Sequence, residues 1–325
     1  PDAWREYLIR WRRLNKKKRV VSEGQGIPGT NEEYLLYQSL IGVWPVEPMD
    51  KSEYEVLKQR IKDYMVKATR EAKVHTSWIS PNTTYEDTLI NFIETILSNV
   101  RGNKFLRDFQ TFQKKISHYG MFNSLSQTLL KITSPGVPDF YQGTELWDFS
   151  LVDPDNRRPV DYGLRIKILE ELKKREQEIS ALELARELVS NKENGKIKLY
   201  LIYKALNYRK NTRKVFEGGE YLPLEVKGDK ANNVCSFSRK SGDSVALVVV
   251  PRFFTRLIQQ PESLPLGKDV WQDSFVVLPI EEAGMKYRNI FTGEIITPVR
   301  HNETTALYLA EIFTNFPVAL LERII

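Results

Sequence analysis

Residues 134–158 read SPGVPDFYQGTELWDFSLVDPDNRR, and how they are read decides the fold. A Pro135-Gly136 turn leads into a short apolar run, Val137 to Tyr141, which Gly143 ends. Glu145, Trp147, Asp148, Asp153, Asp155, Asn156, Arg157 and Arg158 then crowd into one loop. A buried strand that releases such a loop is how barrel and open-sheet enzymes place chemistry at the carboxyl ends of their strands. Aromatic faces beside carboxylates and planar donors suit a sugar, with its apolar C–H faces and its ring of hydroxyls. The plainer alternative is a surface loop with an N-capping Asp before the next helix.

Upstream of this stretch the chain reads as helices. Trp4, Leu8, Trp11 and Leu14 recur at helical spacing within a basic segment ending near residue 20. Gly24, Gly26, Pro28 and Gly29 make a loop, and a second helix starts near Asn31 and stops at Pro45 and Pro48. Ser52 with Glu55, and Thr83 with Glu86, have capping-box spacing and open the next two helices. Gly102 precedes a helix carrying Phe105, Phe109, Phe112 and Ile116, expected to end before Gly120, with 121–132 completing the block. Downstream, helices are expected over 161–178, 181–190 and 197–210. Beyond about residue 212 the pattern changes to short β-rich runs: Val245 to Val250, Ser274 to Leu278, Thr305 to Leu309 and Val318 to Leu321. One parallel-type strand at 137–141 cannot make a sheet alone, because neighbours must supply its backbone partners. Those neighbours are expected upstream of Pro1, and a chain opening on Pro1-Asp2-Ala3-Trp4 fits a piece of something larger.

Composition bounds the class. The chain has 325 residues, 41% hydrophobic and 28% charged, with room for two domains. No apolar run approaches the length of a membrane span, and no signal-peptide pattern opens the chain. A single cysteine, Cys235, excludes an internal disulfide and points to a reducing, cytoplasmic setting. Three histidines (His75, His118, His301) without metal-ligand spacing imply no metal. Arg5, Arg10, Arg12, Arg13, Lys16, Lys17, Lys18 and Arg19 could mark a nucleic-acid arm, but the apolar stripe through them favours an amphipathic helix with a solvated basic face.

A resemblance to a known family rests on several segments in order. Pro135 to Trp147 and Val152 to Asp161 closely resemble the maltooligosyltrehalose synthase family, within the α-amylase-type barrel glycosidase clan. So do Asn31 to Gln38 with Gly42 to Pro45, Lys67 to Lys73 with His75 to Trp78, and Asn289 to Glu294 with Phe316 to Leu321. The resemblance implies an α/β plus β fold: the C-terminal part of a (β/α)8 barrel with a large helical insertion, then an antiparallel β-sandwich-type domain. Residues 1–132 would be the insertion after the seventh strand. Residues 133–211 would hold the last barrel strand, the site loop and the following helices, and 212–325 the C-terminal β domain.

The implied activity converts the reducing-end α-1,4 linkage of a maltooligosaccharide to α,α-1,1 by retaining chemistry on two carboxyl groups. A trapped glucose replaces water as acceptor, so a closed acceptor pocket is central. The family's catalytic carboxylates sit on earlier strands, the last in a His-Asp-Thr-Lys-Arg type motif absent here, so no catalytic residue is assigned. Asp153 and Arg157 carry over as acceptor-side residues, and their i, i+4 spacing also permits a mutual ion pair. Tyr141, Gln142 and Glu145 follow as further substrate-binding candidates at the strand's end. Trp147 and Trp78 could stack on a sugar, though a buried Trp is more often core. The implied partners are a maltooligosaccharide and the upstream barrel half, with no cofactor, metal, nucleic acid or membrane, and the chain alone is expected to be inactive. The alternative is a non-catalytic carbohydrate-binding or structural partner that completes a split barrel.

Overall fold

The computed structural model describes residues 2–22, 25–258, 260 and 262–324, so Pro1 and Gly24 lie outside the described residues. The chain divides into two compact units, Pro1–Ser117 with Phe149–Pro159, and His118–Asp148 with Val160–Ile325. Each unit has its own apolar core. Phe149 and Leu151 pack on the core of the first, whereas the helices after residue 160 share one core with the C-terminal strands.

Helical periodicity builds the first unit: α1 (Asp2–Asn15), α2 (Thr30–Val43), α3 (Lys51–Ala72), α4 (Thr83–Ile96) and the start of α5 (Lys104–Thr133). The stripe through α1 turns Trp11 fully into an aromatic cluster with Tyr37, Phe105, Phe109 and Phe112. Its basic face meets acids: Arg10 Nε lies 3.1 Å from Asp108, and Arg12 Nε 3.8 Å from the buried Glu33. Part of the expected glycine loop is a small antiparallel ribbon, β1 (Val20–Ser22) with β2 (Gln25–Ile27).

Helix starts are shifted from their expected caps. Asp50 caps α3, accepting from the Glu53 amide while Glu53 accepts from the Asp50 amide, both at 2.8 Å. This reciprocal box has the same spacing as Ser52–Glu55 but begins two residues earlier, and a carboxylate is the stronger acceptor for the orphan amides. Asn82, not Thr83, caps α4 through the Tyr85 amide at 3.1 Å. Glu86 is therefore available to accept a fork from Arg70 (2.8 and 2.6 Å) and the Thr76 hydroxyl (2.6 Å). Gly120 does not break α5, which is one helix to Thr133. A mid-helix Gly costs about 1 kcal/mol against Ala, less than the burial of Phe122, Leu125 and Leu129 returns.

The second unit carries α6 (Tyr162–Glu178), α7 (Ala181–Ser190), α8 (Lys196–Asn211) and α9 (Arg213–Glu217), followed by strands β3 to β12. Strands β3 (Glu220–Pro223), β5 (Val234–Ser241), β6 (Ser244–Pro251), β12 (Ala319–Ile324), β8 (Lys286–Asn289) and β9 (Ile295–Ile296) form a six-stranded sheet in that order. A four-stranded sheet runs β10 (Val299–His301), β11 (Thr304–Tyr308), β7 (Phe275–Leu278), β4 (Val226–Lys227). Every pairing is antiparallel. The SVALVVVP run of β6 is continuously apolar because it is a central strand buried on both faces. Between α9 and β3 the backbone passes so close to Val215 and Lys240 carbonyls that a Cβ at Gly219 would collide with both.

Residues 137–141 differ from the sequence reading. They form no strand, and Val137 is 93% exposed. Among the described residues no strand pairs with them. An apolar run without a neighbouring strand gains no ladder hydrogen bonds from extension, and the Tyr141 carbonyl is instead taken by a turn.

Candidate functional site

The quoted stretch enters the second unit from the C-terminal end of α5, where carbonyls lack helical partners. Two guanidiniums supply the missing donors: Arg209 to Ile132 O and to Gly136 O (2.7 Å), and Arg239 to Thr133 O (3.1 Å). Cations there also suit the negative end of the helix dipole.

Beyond this anchor, Thr144 closes a turn on Tyr141 O with its amide (3.2 Å) and hydroxyl (2.7 Å). Gly143, at φ 91°, adopts a backbone conformation that other residues avoid. Arg165 of α6 then fixes the loop, donating to Glu145 at 2.9 Å, Gly143 O at 2.6 Å and Asp161 O at 3.1 Å. Glu145 is thus placed in an ion pair, while Tyr141 and Gln142 are exposed. Trp147 is half-buried, its indole N–H on Lys192 O at 2.8 Å. Behind it Lys198 is buried, 5.8 Å from the Trp147 ring, and burial draws its pKa down to about 8 against the charges of Asp148 and Glu145. Asp161 caps α6 through the Leu164 amide (2.8 Å), as the plainer loop reading requires.

The later part of the stretch belongs to the first unit. Asp153 and Arg157 form an ion pair at i, i+4, with side chains 49% and 72% exposed. Beneath them α3 supplies two cations. Arg60 donates a fork to both Asp155 carboxylate oxygens (2.8 Å each) and a further bond to Phe149 O (2.6 Å). Asp155 also accepts from the Leu151 amide at 2.6 Å, and Lys67 donates to the Asp153 carbonyl. Burial pushes the Asp155 carboxyl up, but the hydrogen bonds from Arg60 and Leu151, with the Arg60 and Arg158 charges, outweigh it and hold it below the ordinary carboxylate value.

A depressed carboxyl stabilises the folded loop above its unfolded pKa of about 3.9 and loses that contribution as pH falls through the folded value. Amide exchange at Leu151 should therefore accelerate in acid more than exchange in the middle of α3. Asp155→Asn should abolish that difference, and an identical acid profile in the variant would refute the assignment.

The sequence singled out Asp153 and Arg157 through the family resemblance, and their spacing allowed the ion pair, but it gave no role to Arg60, Lys67 or Arg165. The only signal for the first two is that positions seven apart share a helix face. Trp78 is exposed, one face covered by the Arg70 guanidinium 4.8 Å away. Among the described residues no cluster of three or more His, Cys, Asp or Glu could hold a metal ion, and no helix is long and apolar enough to cross a membrane.

No protein-family profile matches the chain. A putative maltooligosyl trehalose synthase of Mycobacterium tuberculosis is 33% identical over 292 residues, 89% of this chain and 31% of that protein. The solved maltooligosyltrehalose synthase of Arthrobacter ramosus superposes with a TM-score of 0.70 at 27% identity, over 97% of this chain and 35% of that one. Another solved maltooligosyl trehalose synthase gives 0.67 at 30% identity, over 100% of this chain and 36% of its own. In sequence and in fold the chain is related to the maltooligosyltrehalose synthases. It spans about a third of the length of the relatives it matches.

Proposed function

We propose that this chain works as the C-terminal third of a maltooligosyltrehalose synthase, an isomerase of trehalose biosynthesis. The observation that carries the reading is the continuous match to synthases in sequence and fold across nearly the whole chain. In this reading residues 137–141 are the last strand of a barrel whose other strands lie outside residues 1–325, and residues 1–132 are a helical insertion before it. The catalytic carboxylates belong to those other strands. One carboxylate forms a glycosyl-enzyme with retention, and the other carboxyl serves as acid and then as base.

Asp153 and Arg157 serve the acceptor side. The cleaved glucose must turn over and attack through its anomeric hydroxyl before water does. A carboxylate accepting from two sugar hydroxyls, with a guanidinium fork beside it, can hold that glucose in place. Their exposure supports the role, because both side chains are accessible to a ligand while their loop is anchored below.

The test is product analysis with maltopentaose. Residues 1–325 alone should form no trehalosyl product. In the complete enzyme, Asp153→Ala should raise the ratio of free glucose to trehalosyl product by about tenfold, the effect of losing a positioning contact. Turnover by residues 1–325 alone, or an unchanged ratio in Asp153→Ala, would count against the reading. A gene with no coding sequence directly upstream of Pro1 would favour instead a non-catalytic carbohydrate-binding or structural partner that completes a split barrel.

A further inference from the structure

Residues 149–158 have little regular structure, only a short helical turn at Asp155–Arg157, yet the loop is tightly held. Its first half is tied differently from its second. Phe149 and Leu151 enter the apolar core of the first unit. From Asp153 onward the ties are polar and come from α3.

Arg60 and Lys67 stand seven residues apart, which on an α-helix is about 20° around the axis and roughly 10 Å along it. One helix face therefore presents two cations in a row to the loop. Lys67 takes one backbone carbonyl, that of Asp153. Arg60 does more, with both Asp155 oxygens and the Phe149 carbonyl on one planar guanidinium. Asp155 relays this hold to the Leu151 amide. The Arg60 and Asp155 side chains are only 14% and 10% exposed, so the pair is sheltered from the screening that makes surface ion pairs weak. Asp153 and Arg157 sit on either side of Asp155 and point outward, exposed.

We propose that Arg60 is a positioning residue for the acceptor side: through Asp155 it fixes the backbone of residues 149–158, and with it the Asp153–Arg157 pair. This rests on the acceptor-side reading of that pair. Arg60 touches no reacting group. It determines how often the turned glucose is caught before water arrives, and so sets the partition between isomerisation and hydrolysis. A ligand-holding pair on an untethered loop would sample many geometries, and a misplacement of about 1 Å can cost two orders of magnitude in rate.

The experiment uses the complete enzyme with maltopentaose and compares Arg60→Gln, Arg60→Lys and Asp153→Ala. Arg60→Gln should raise the ratio of free glucose to trehalosyl product severalfold and lower kcat for isomerisation by about tenfold, the cost of a modest misplacement. Lysine restores the charge but not the fork, so Arg60→Lys should recover part of the ratio. Hydrogen exchange at the Leu151 and Arg157 amides should accelerate in Arg60→Gln while the middle of α3 keeps its protection. A ratio that moves in Asp153→Ala but not in Arg60→Gln overturns the positioning role and leaves the acceptor-side reading standing. A ratio unchanged in both overturns the reading and the role together. Unchanged exchange at Leu151 in Arg60→Gln overturns the tether whatever the products show. If Arg60→Gln fails to fold, Asp155→Asn replaces it, with the same shift expected, and an unshifted ratio there overturns the role.

Discussion

Trp11→Ala should destabilise the first unit by about 3–5 kcal/mol, the usual cost of emptying a large aromatic site in a packed core. Trp11 is fully buried and meets rings on several sides: Trp4 at 5.8 Å, Tyr7 at 5.6 Å, Tyr37 at 5.5 Å and Phe109 at 5.6 Å. Those rings come from α1, α2 and α5, so no single helix can move to fill the gap. The indole N–H also donates to Asp108 at 2.8 Å. That bond is the smaller part of the loss, because Asp108 is partly exposed and keeps Arg10. Trp11→Phe separates the two contributions: it keeps most of the apolar volume and gives up the hydrogen bond, so it should cost well under half as much. Guanidinium unfolding followed by circular dichroism measures both. An alanine variant within 1 kcal/mol of the parent would mean that α1 is not part of the core, and its basic face would again need a partner outside the chain.

The same residue shows what was legible in the sequence. Trp4, Leu8, Trp11 and Leu14 declare a helix by spacing alone, and the observed α1 covers Asp2–Asn15. The helices at 161–178, 181–190 and 197–210 appear as Tyr162–Glu178, Ala181–Ser190 and Lys196–Asn211, because each carries its own apolar stripe and stop signal. Strands β6, β7, β11 and β12 were visible as apolar runs. Strands β3, β4, β9 and β10 were not, since they are short and largely polar or exposed. Such strands exist only because a neighbour offers hydrogen bonds, which no local pattern records. At Val137 to Tyr141 a local apolar pattern was legible but no described strand pairs with it, and the partners expected for it lie upstream of Pro1. In the candidate site, Asp153 and Arg157 were reached through the family resemblance, and their i, i+4 spacing made their ion pair legible. Arg60 contacts Asp155 across 95 positions of chain, and nothing in its own helix marks it among the other basic residues.

Arg239→Met should cost about 2–4 kcal/mol, although it removes a buried charge, which by itself would favour the variant. Arg239 is 2% exposed and, among the described residues, faces no carboxylate. Its partners are carbonyls: Thr133 at 3.1 Å, Phe216 at 2.9 Å, Gly219 at 3.2 Å and Glu220 at 3.4 Å. Burial draws its pKa below the ordinary guanidinium value, with Arg209 adding to the effect, yet the group stays protonated at neutral pH. Methionine relieves that desolvation but strands the Thr133 and Phe216 carbonyls, both on buried residues, each at about 1–3 kcal/mol. The loss of acceptor satisfaction outweighs the relief. Arg239→Lys tests whether shape or charge carries the effect: an ammonium keeps the charge but cannot span carbonyls that diverge around a planar fork, so it should be nearly as destabilising as Met. Because Thr133 ends α5, both variants should also speed hydrogen exchange over residues 130–136, ahead of the strands. A methionine variant as stable as the parent would mean that desolvation dominates, and that the α5 terminus is held by Arg209 alone.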